Sequence, residues 1–181
     1  ISKKLCKYQT PFYDEGWDEI RISYTSEKYS NADYEDWMNC NHDTPHHNNT
    51  VGQHTQQVCE AVSSLSLSAL ESKSYNPALL DTLVLFAAAL HDSGKKFTKS
   101  FVNTRGEKTE IAHYYDHQNV GSYYALGFDR LEKISTEEIL LISWLVNVHM
   151  DPFLNTRYYR SLSGELKNLL DKLHECDIKG A

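Results

Sequence analysis

Leu79-Leu80-Asp81-Thr82-Leu83-Val84-Leu85-Phe86-Ala87-Ala88-Ala89-Leu90, followed at once by His91-Asp92-Ser93-Gly94-Lys95, is the stretch on which the reading of this chain turns. After Asp81 the first part is apolar nearly all round, the pattern of a helix buried on every side. Asn76 as cap and Pro77 at the first helical position give it a start. His91 and Asp92 read as its last turn, with Gly94 as a left-handed C-cap and Lys95 and Lys96 at the negative end of the helix dipole. The helix therefore delivers an imidazole and a carboxylate to the floor of a core. Their burial costs desolvation energy unless something pairs with them, and a metal ion would do so.

Working outward, Val51 to Leu70 predicts a helix with the stripe Val51, Val58, Val62, Leu65 and Ala69, and His54 falls on the same face. Downstream, Asp116 to Leu126 sets His117, Val120, Gly121 and Tyr124 on one face, with Gly127 after its end. A capping box, Ser135 to Glu138, starts the next helix; its stripe Ile139, Ile142, Leu145, Val146 runs on to His149, and Pro152 stops it. The last helix starts near Ser163 and turns Leu166, Leu169, Leu170 and Leu173 inward, with Asp177 one turn further on that face. Between Phe97 and Tyr115, strand formers flank a turn at Arg105-Gly106 and predict a small hairpin over the end of the buried helix. Arg105 and Lys108 on it, and Arg157 and Arg160 after the His149 helix, read as solvated surface charges.

The expected architecture is all-α, a bundle of about five core helices with a small β-hairpin insertion. Residues 46–181 form the domain and residues 1–45 an N-terminal extension packed on it, aromatic and acidic, with a short helix over Asn31 to Met38. Tyr8, Phe12, Tyr13, Trp17, Tyr24, Tyr29, Tyr34 and Trp37 in that extension read as core or cover. The polar run Asn39 to Thr50, with His42, His46 and His47, reads as a turn-rich loop carrying solvated histidines. It leads straight into the helix of His54.

A chain of 181 residues, 40% hydrophobic, is long enough for one domain with a real core. A net charge of -7 leaves no broad basic face, so strong nucleic-acid binding is not expected. Cys6, Cys40, Cys59 and Cys176 are widely spread and suggest neither a disulfide framework nor a zinc ribbon, which fits a reducing, cytoplasmic setting. No apolar run approaches the roughly 20 residues needed to span a bilayer, and no secretory-type segment is read at the start. A start at Ile1 instead of Met is what a piece of a longer protein would show.

Taken together, His54, His91, Asp92, His117, His149 and Asp177 put a ligand-type group at or beyond the end of the buried stripe on each helix. Convergence on a shared metal explains why all these stripes carry one, because buried imidazoles and carboxylates then satisfy one another. His54, His91, Asp92 and Asp177 would make one mixed nitrogen and oxygen site. His117 and His149 supply ligands for a second ion, with Asp92 bridging. The set contains no thiolate, which favours iron, manganese, zinc, nickel or cobalt, with magnesium at a weaker site.

A His, then an adjacent His-Asp, then a distant Asp, here His54, His91-Asp92 and Asp177, resembles the motif of the HD-domain metal-dependent phosphohydrolases. The resemblance covers residues 46–181. Thr50-Val51-Gly52-Gln53-His54-Thr55, Leu90 to Lys95, His113 to Gly121 and Glu175-Cys176-Asp177 look most like the HD domain attached to bacterial CCA-adding tRNA nucleotidyltransferases. No nucleotidyltransferase domain is present, so CCA addition is not implied. Ser93 replaces the aliphatic residue usual there, and neither the Gly-Tyr-Pro signature of the cyclic-di-nucleotide branch nor the acidic pair of alarmone hydrolases is found. His117 and His149 resemble the binuclear branch.

The resemblance implies metal-dependent hydrolysis of phosphomono- or phosphodiesters by activated water, the substrate being a nucleotide or another small phosphorylated compound. Asp92 is then the central catalytic residue. Lys95 is a candidate for holding the substrate phosphate or the Asp92 carboxylate, against the plain reading of a helix-end cation. His113 is a candidate for protonating the leaving oxygen or binding phosphate, against that of a hairpin-end histidine. Two other readings stay open: a catalytically silent metal- or nucleotide-binding regulatory domain, and an accessory domain acting on RNA 3′ ends or cyclic phosphates.

Overall fold

The computed structural model describes residues 7–11, 31–45, 49–65, 77–127 and 134–180. It is all-α with a small hairpin. Helix α1 (Asn31–Met38) leads through a loop into α2 (Val51–Ser64); α3 (Pro77–Leu90) follows, then the single turn α4 (Lys95–Thr98). Strands β1 (Ser100–Val102) and β2 (Lys108–His113) precede α5 (His117–Ala125), α6 (Thr136–Val148), the short α7 (Asp151–Leu154) and α8 (Arg157–Ser161), and α9 (Gly164–Lys179).

Two capping boxes fix the starts of helices that carry the site. Thr50 Oγ1 accepts from Gln53 N while Gln53 Oε1 accepts from Thr50 N, and Ser135 and Glu138 make the same pair at α6. Helix α2 ends at Ser64, short of Leu70. Ser63 and Ser64 turn their hydroxyls back onto the carbonyls of Cys59 and Ala61, at 2.8 and 2.7 Å, the local competition by which serine weakens a helix. Ala69 and Leu70, the Asn76 cap, His46, His47 and the aromatics from Phe12 to Tyr29 lie outside the described residues.

Helix α3 packs against α2, α6 and α9, and buries Leu80, Leu83, Val84, Ala87, Ala88 and Leu90. Leu85, Phe86 and Ala89 stay half-buried, so the helix is not enclosed on every side. Among the described residues, helix α6 is the one enclosed all round: every residue from Ile139 to Val148 is buried, because α3, α5 and α9 surround it. Its single predicted stripe understates this. Pro152 does not stop α6, which ends at Val148, but sits in the first turn of α7.

Described residues of the N-terminal part reach the core. Trp37 is fully buried in the core, Thr10 N donates to Asn147 Oδ1 at 3.1 Å, and the Thr10 and Ser143 hydroxyls lie 2.8 Å apart. The hairpin is antiparallel, pairing Ser100 with His113 and Val102 with Lys108. Its turn is held by Asn103 Oδ1, which accepts from the N–H groups of Arg105 and Glu107, and Gly106 takes φ +82°. No helix is long and apolar enough to cross a membrane among the described residues.

His91 and Asp92 lie in the tight turn after α3, and Gly94 is not a left-handed cap: its φ is -75°. Glycine is required there for space. A Cβ would come within 1.9 Å of the His117 carbonyl oxygen, where α5 starts against the turn. Gly94→Ala is therefore expected to cost about 3 kcal/mol by overpacking against main chain, whereas Gly106→Ala, strained but in open space, costs about 1 kcal/mol. Urea unfolding of both variants checks the ranking.

Candidate metal centre

Six predicted residues arrive at one place from five helices. His54 lies in the first turn of α2, His91 and Asp92 in the turn after α3, His117 at the first position of α5, His149 at the C-cap of α6 and Asp177 in the last turn of α9. All six are buried, none more than 8% exposed.

The imidazoles are oriented by main chain. His54 Nδ1 lies 2.9 Å from Gly180 O, His91 Nδ1 2.7 Å from Ala88 O, His117 Nδ1 2.8 Å from Tyr114 O and His149 Nδ1 2.7 Å from Val146 O. A carbonyl oxygen only accepts, so each Nδ1 carries the hydrogen and each Nε2, in the neutral ring, turns a lone pair inward.

The inward atoms fall into two sets. In one, His54 Nε2 is 3.2 Å from His91 Nε2 and 3.0 Å from Asp177 Oδ1, with His91 Nε2 3.6 Å from that oxygen. In the other, His117 Nε2 is 3.2 Å from His149 Nε2 and 3.4 Å from Asp92 Oδ1, with His149 Nε2 4.0 Å from it. Asp92 belongs to both: its Oδ2 is 3.6 Å from His54 Nε2 and 3.4 Å from His91 Nε2. Each set could hold a metal ion. The donors fit: two facing lone pairs at 3.2 Å repel unless a cation lies between or beside them, and imidazole with carboxylate suits borderline divalent ions.

Without metal, protons fill part of that role. Burial works against a charged His91, yet Asp92 and Asp177 push it up to about 9. Burial likewise opposes the Asp92 charge, and Lys95 and then His91 hold its carboxyl well below the usual carboxylate range. Asp177 is held low against its own burial by His91 and His54. His149 goes the other way, lowered to about 3 by burial and by the neighbouring His117 and His91.

Lys95 is 8% exposed and its Nζ lies 2.7 Å from Asp92 Oδ2, so it holds the carboxylate. The same ammonium lies 3.2 Å from His42 Nε2. His42 corrects the expectation of a solvated loop histidine: it is 1% exposed, with Nδ1 2.7 Å from Asn49 O and Nε2 3.8 Å from Asp92 Oδ2. The loop folds inward because Asn41 bridges to Thr50, Val51 N donates to Cys40 O, and the Tyr114 hydroxyl donates to the His42 carbonyl. The one signal for it in the sequence was that this loop runs directly into the first turn of the His54 helix.

The cluster forms the floor of a cavity of about 610 Å³, whose other lining residues include Thr44, His113, Tyr114, Tyr115, Met150, Phe153 and Ile178. Of these, only His113 was singled out from the sequence; it is half-buried, stacked on Tyr115 at 5.3 Å and 8°. Arg105, Lys108, Arg157 and Arg160 are exposed and do not line the cavity. No family model, curated protein or solved structure matches this chain.

The two sets differ in charge. One has the whole of Asp177 and one oxygen of Asp92; the other has only the second oxygen of Asp92. Titrating metal-stripped protein with Mn²⁺ or Co²⁺ is expected to give two unequal binding events, the weaker lost in His149→Ala and the tighter in Asp177→Ala. The His91 proton must leave before that ring can ligate, so the tighter event strengthens as pH rises from 6.5 toward about 9. Because the folded-state value of His91 is raised, its contribution to the stability of metal-free protein is full below 6.5 and is lost as pH rises through about 9. Calorimetric titrations and thermal melts across this window check both; a pH-independent tighter event would be the wrong sign.

Proposed function

We propose that the chain is an HD-domain metal-dependent phosphohydrolase that cleaves phosphomono- or phosphodiesters of small compounds, nucleotides among them. The observation that carries this reading is the division of one carboxylate: Asp92 turns Oδ2 to His54 and His91 and Oδ1 to His117 and His149, at the floor of an open cavity. Two divalent ions bound there would supply an activated water and polarise the phosphoryl oxygens, the chemistry by which paired metal sites displace at phosphorus.

The chain's own residues do the rest. His54, His91 and Asp177 hold one position and His117 and His149 the other, while Asp92 spans them. Lys95 fixes Asp92 Oδ2 and leaves Oδ1 to the second set, and His42 fixes Lys95 in turn. His113, at the base of the hairpin, lines the cavity beside the cluster and is the candidate proton donor to the leaving oxygen. The tyrosines, Met150, Phe153 and Ile178 supply the apolar part of the cavity lining.

Metal-stripped protein reconstituted with manganese, nickel, cobalt or iron is expected to hydrolyse members of a phosphoester panel, with turnover lost on chelation. Asp92→Ala should reduce turnover to background and be more damaging than His91→Ala, which touches one set only. Lys95→Gln should lower kcat by roughly ten- to a hundredfold, the usual effect of removing a group that orients a metal ligand. Tight metal binding with no turnover of any phosphoester would favour a silent sensor domain and end the hydrolase reading.

A further inference from the structure

Beside the metal-ligating floor, the cavity is built for a flat, uncharged group. Tyr114, Tyr115, Met150, Phe153 and Ile178 line it, and of these Tyr115 and Phe153 stay 43% and 48% exposed even with His113 stacked on the first and His174 set edge-on to the second. They come from separate elements, Tyr115 from the turn between β2 and α5 and Phe153 from α7. Two polar side chains lie among them. Thr44 Oγ1 and His113 Nε2 are buried atoms with no hydrogen-bond partner among the described residues, and an orphaned buried polar atom is destabilising unless something arrives to satisfy it.

The charge of the lining is equally selective. Among the described residues that line the cavity, Lys95 is the one lysine or arginine, and Asp92 and His42 already engage it. A chain of several phosphates would bring negative charges beyond those the two metal sets can meet, against a wall of apolar and aromatic groups. A single phosphoryl group attached to an aromatic or heteroaromatic moiety fits both halves.

We infer that Thr44, His113, Tyr115 and Phe153 form a leaving-group subsite that selects monophosphate esters bearing a planar heteroaromatic ring, and that di- and triphosphates are poor substrates. The inference rests on the phosphohydrolase reading for the position of the phosphoryl group. The ring stacks on Phe153 or on the face of Tyr115 away from His113, its polar edge meets Thr44, and His113 is left to the leaving oxygen.

The test uses the full chain loaded with Mn²⁺ and compares the four common nucleoside 5′-monophosphates with ribose 5-phosphate and adenosine 5′-triphosphate. The best monophosphate is expected to exceed both others in kcat/KM by roughly tenfold or more, the scale of one base–aromatic stack. Phe153→Ala, Tyr115→Ala and Thr44→Val should each shrink the advantage over ribose 5-phosphate several-fold, chiefly through KM. Equal turnover of ribose 5-phosphate and the nucleotides, or variants that lower both alike, overturns the subsite while leaving the hydrolase reading standing. If no phosphoester turns over, the hydrolase reading fails, and saturation-transfer NMR on metal-stripped protein with the four nucleosides still decides the subsite. Transfer to base protons that weakens in Phe153→Ala supports it; none for any nucleoside overturns it.

Discussion

Each imidazole of the cluster is tied at Nδ1 to a main-chain carbonyl, and that constraint connects the fold to the chemistry. Ala88 O and Val146 O belong to the last turns of α3 and α6, and Gly180 O follows α9. Carbonyls at helix C-termini lack intrahelical donors. The histidines supply them, so the same bonds that finish the helices also fix which nitrogen faces inward. A cluster of floppy or solvent-oriented rings would leave both the helix ends and the facing nitrogens unsatisfied.

The ends of α3, α6 and α9 thus meet at one point, each with its partial negative charge directed there. Two carboxylates add to it. Helices α2 and α5 begin at the same place, and their positive ends offset part of this field. What remains favours a cation, which Lys95 and the proton of His91 provide in the metal-free protein. Gly94 allows the arrangement by letting α5 start in contact with the turn after α3, which places His117 across Asp92 from His54.

Helical periodicity made much of this legible. His54, His149 and Asp177 continue apolar stripes, so the faces they sit on could be read residue by residue, and the capping residues Thr50 and Ser135 mark where two of the helices start. What escaped was set by contacts distant in sequence. His42 sits in a stretch whose composition is that of a solvated loop, and it is drawn inward by Lys95, Tyr114 and the Asn41–Thr50 bridge. The burial of α6 on all sides depends on how three other helices surround it. Short elements such as α4, α7 and α8 are single turns held by tertiary contact and carry no period to detect.

Asp92 is the position at which these constraints leave least freedom. A glutamate would keep the charge, but its extra methylene would have to enter a turn in which His91, Ser93, Gly94 and Lys95 are all buried. An asparagine would keep the shape and turn an amide N–H₂ toward one of the two sets, where the facing atoms are lone pairs or a cation. With the N–H₂ on one side Lys95 loses its carboxylate partner, and with it on the other a cation held by His117 and His149 would meet a donor where it needs an acceptor. Both the packing of the α3 turn and the charge balance of two sets therefore demand a short, symmetric, fully ionised acceptor, and aspartate alone supplies it.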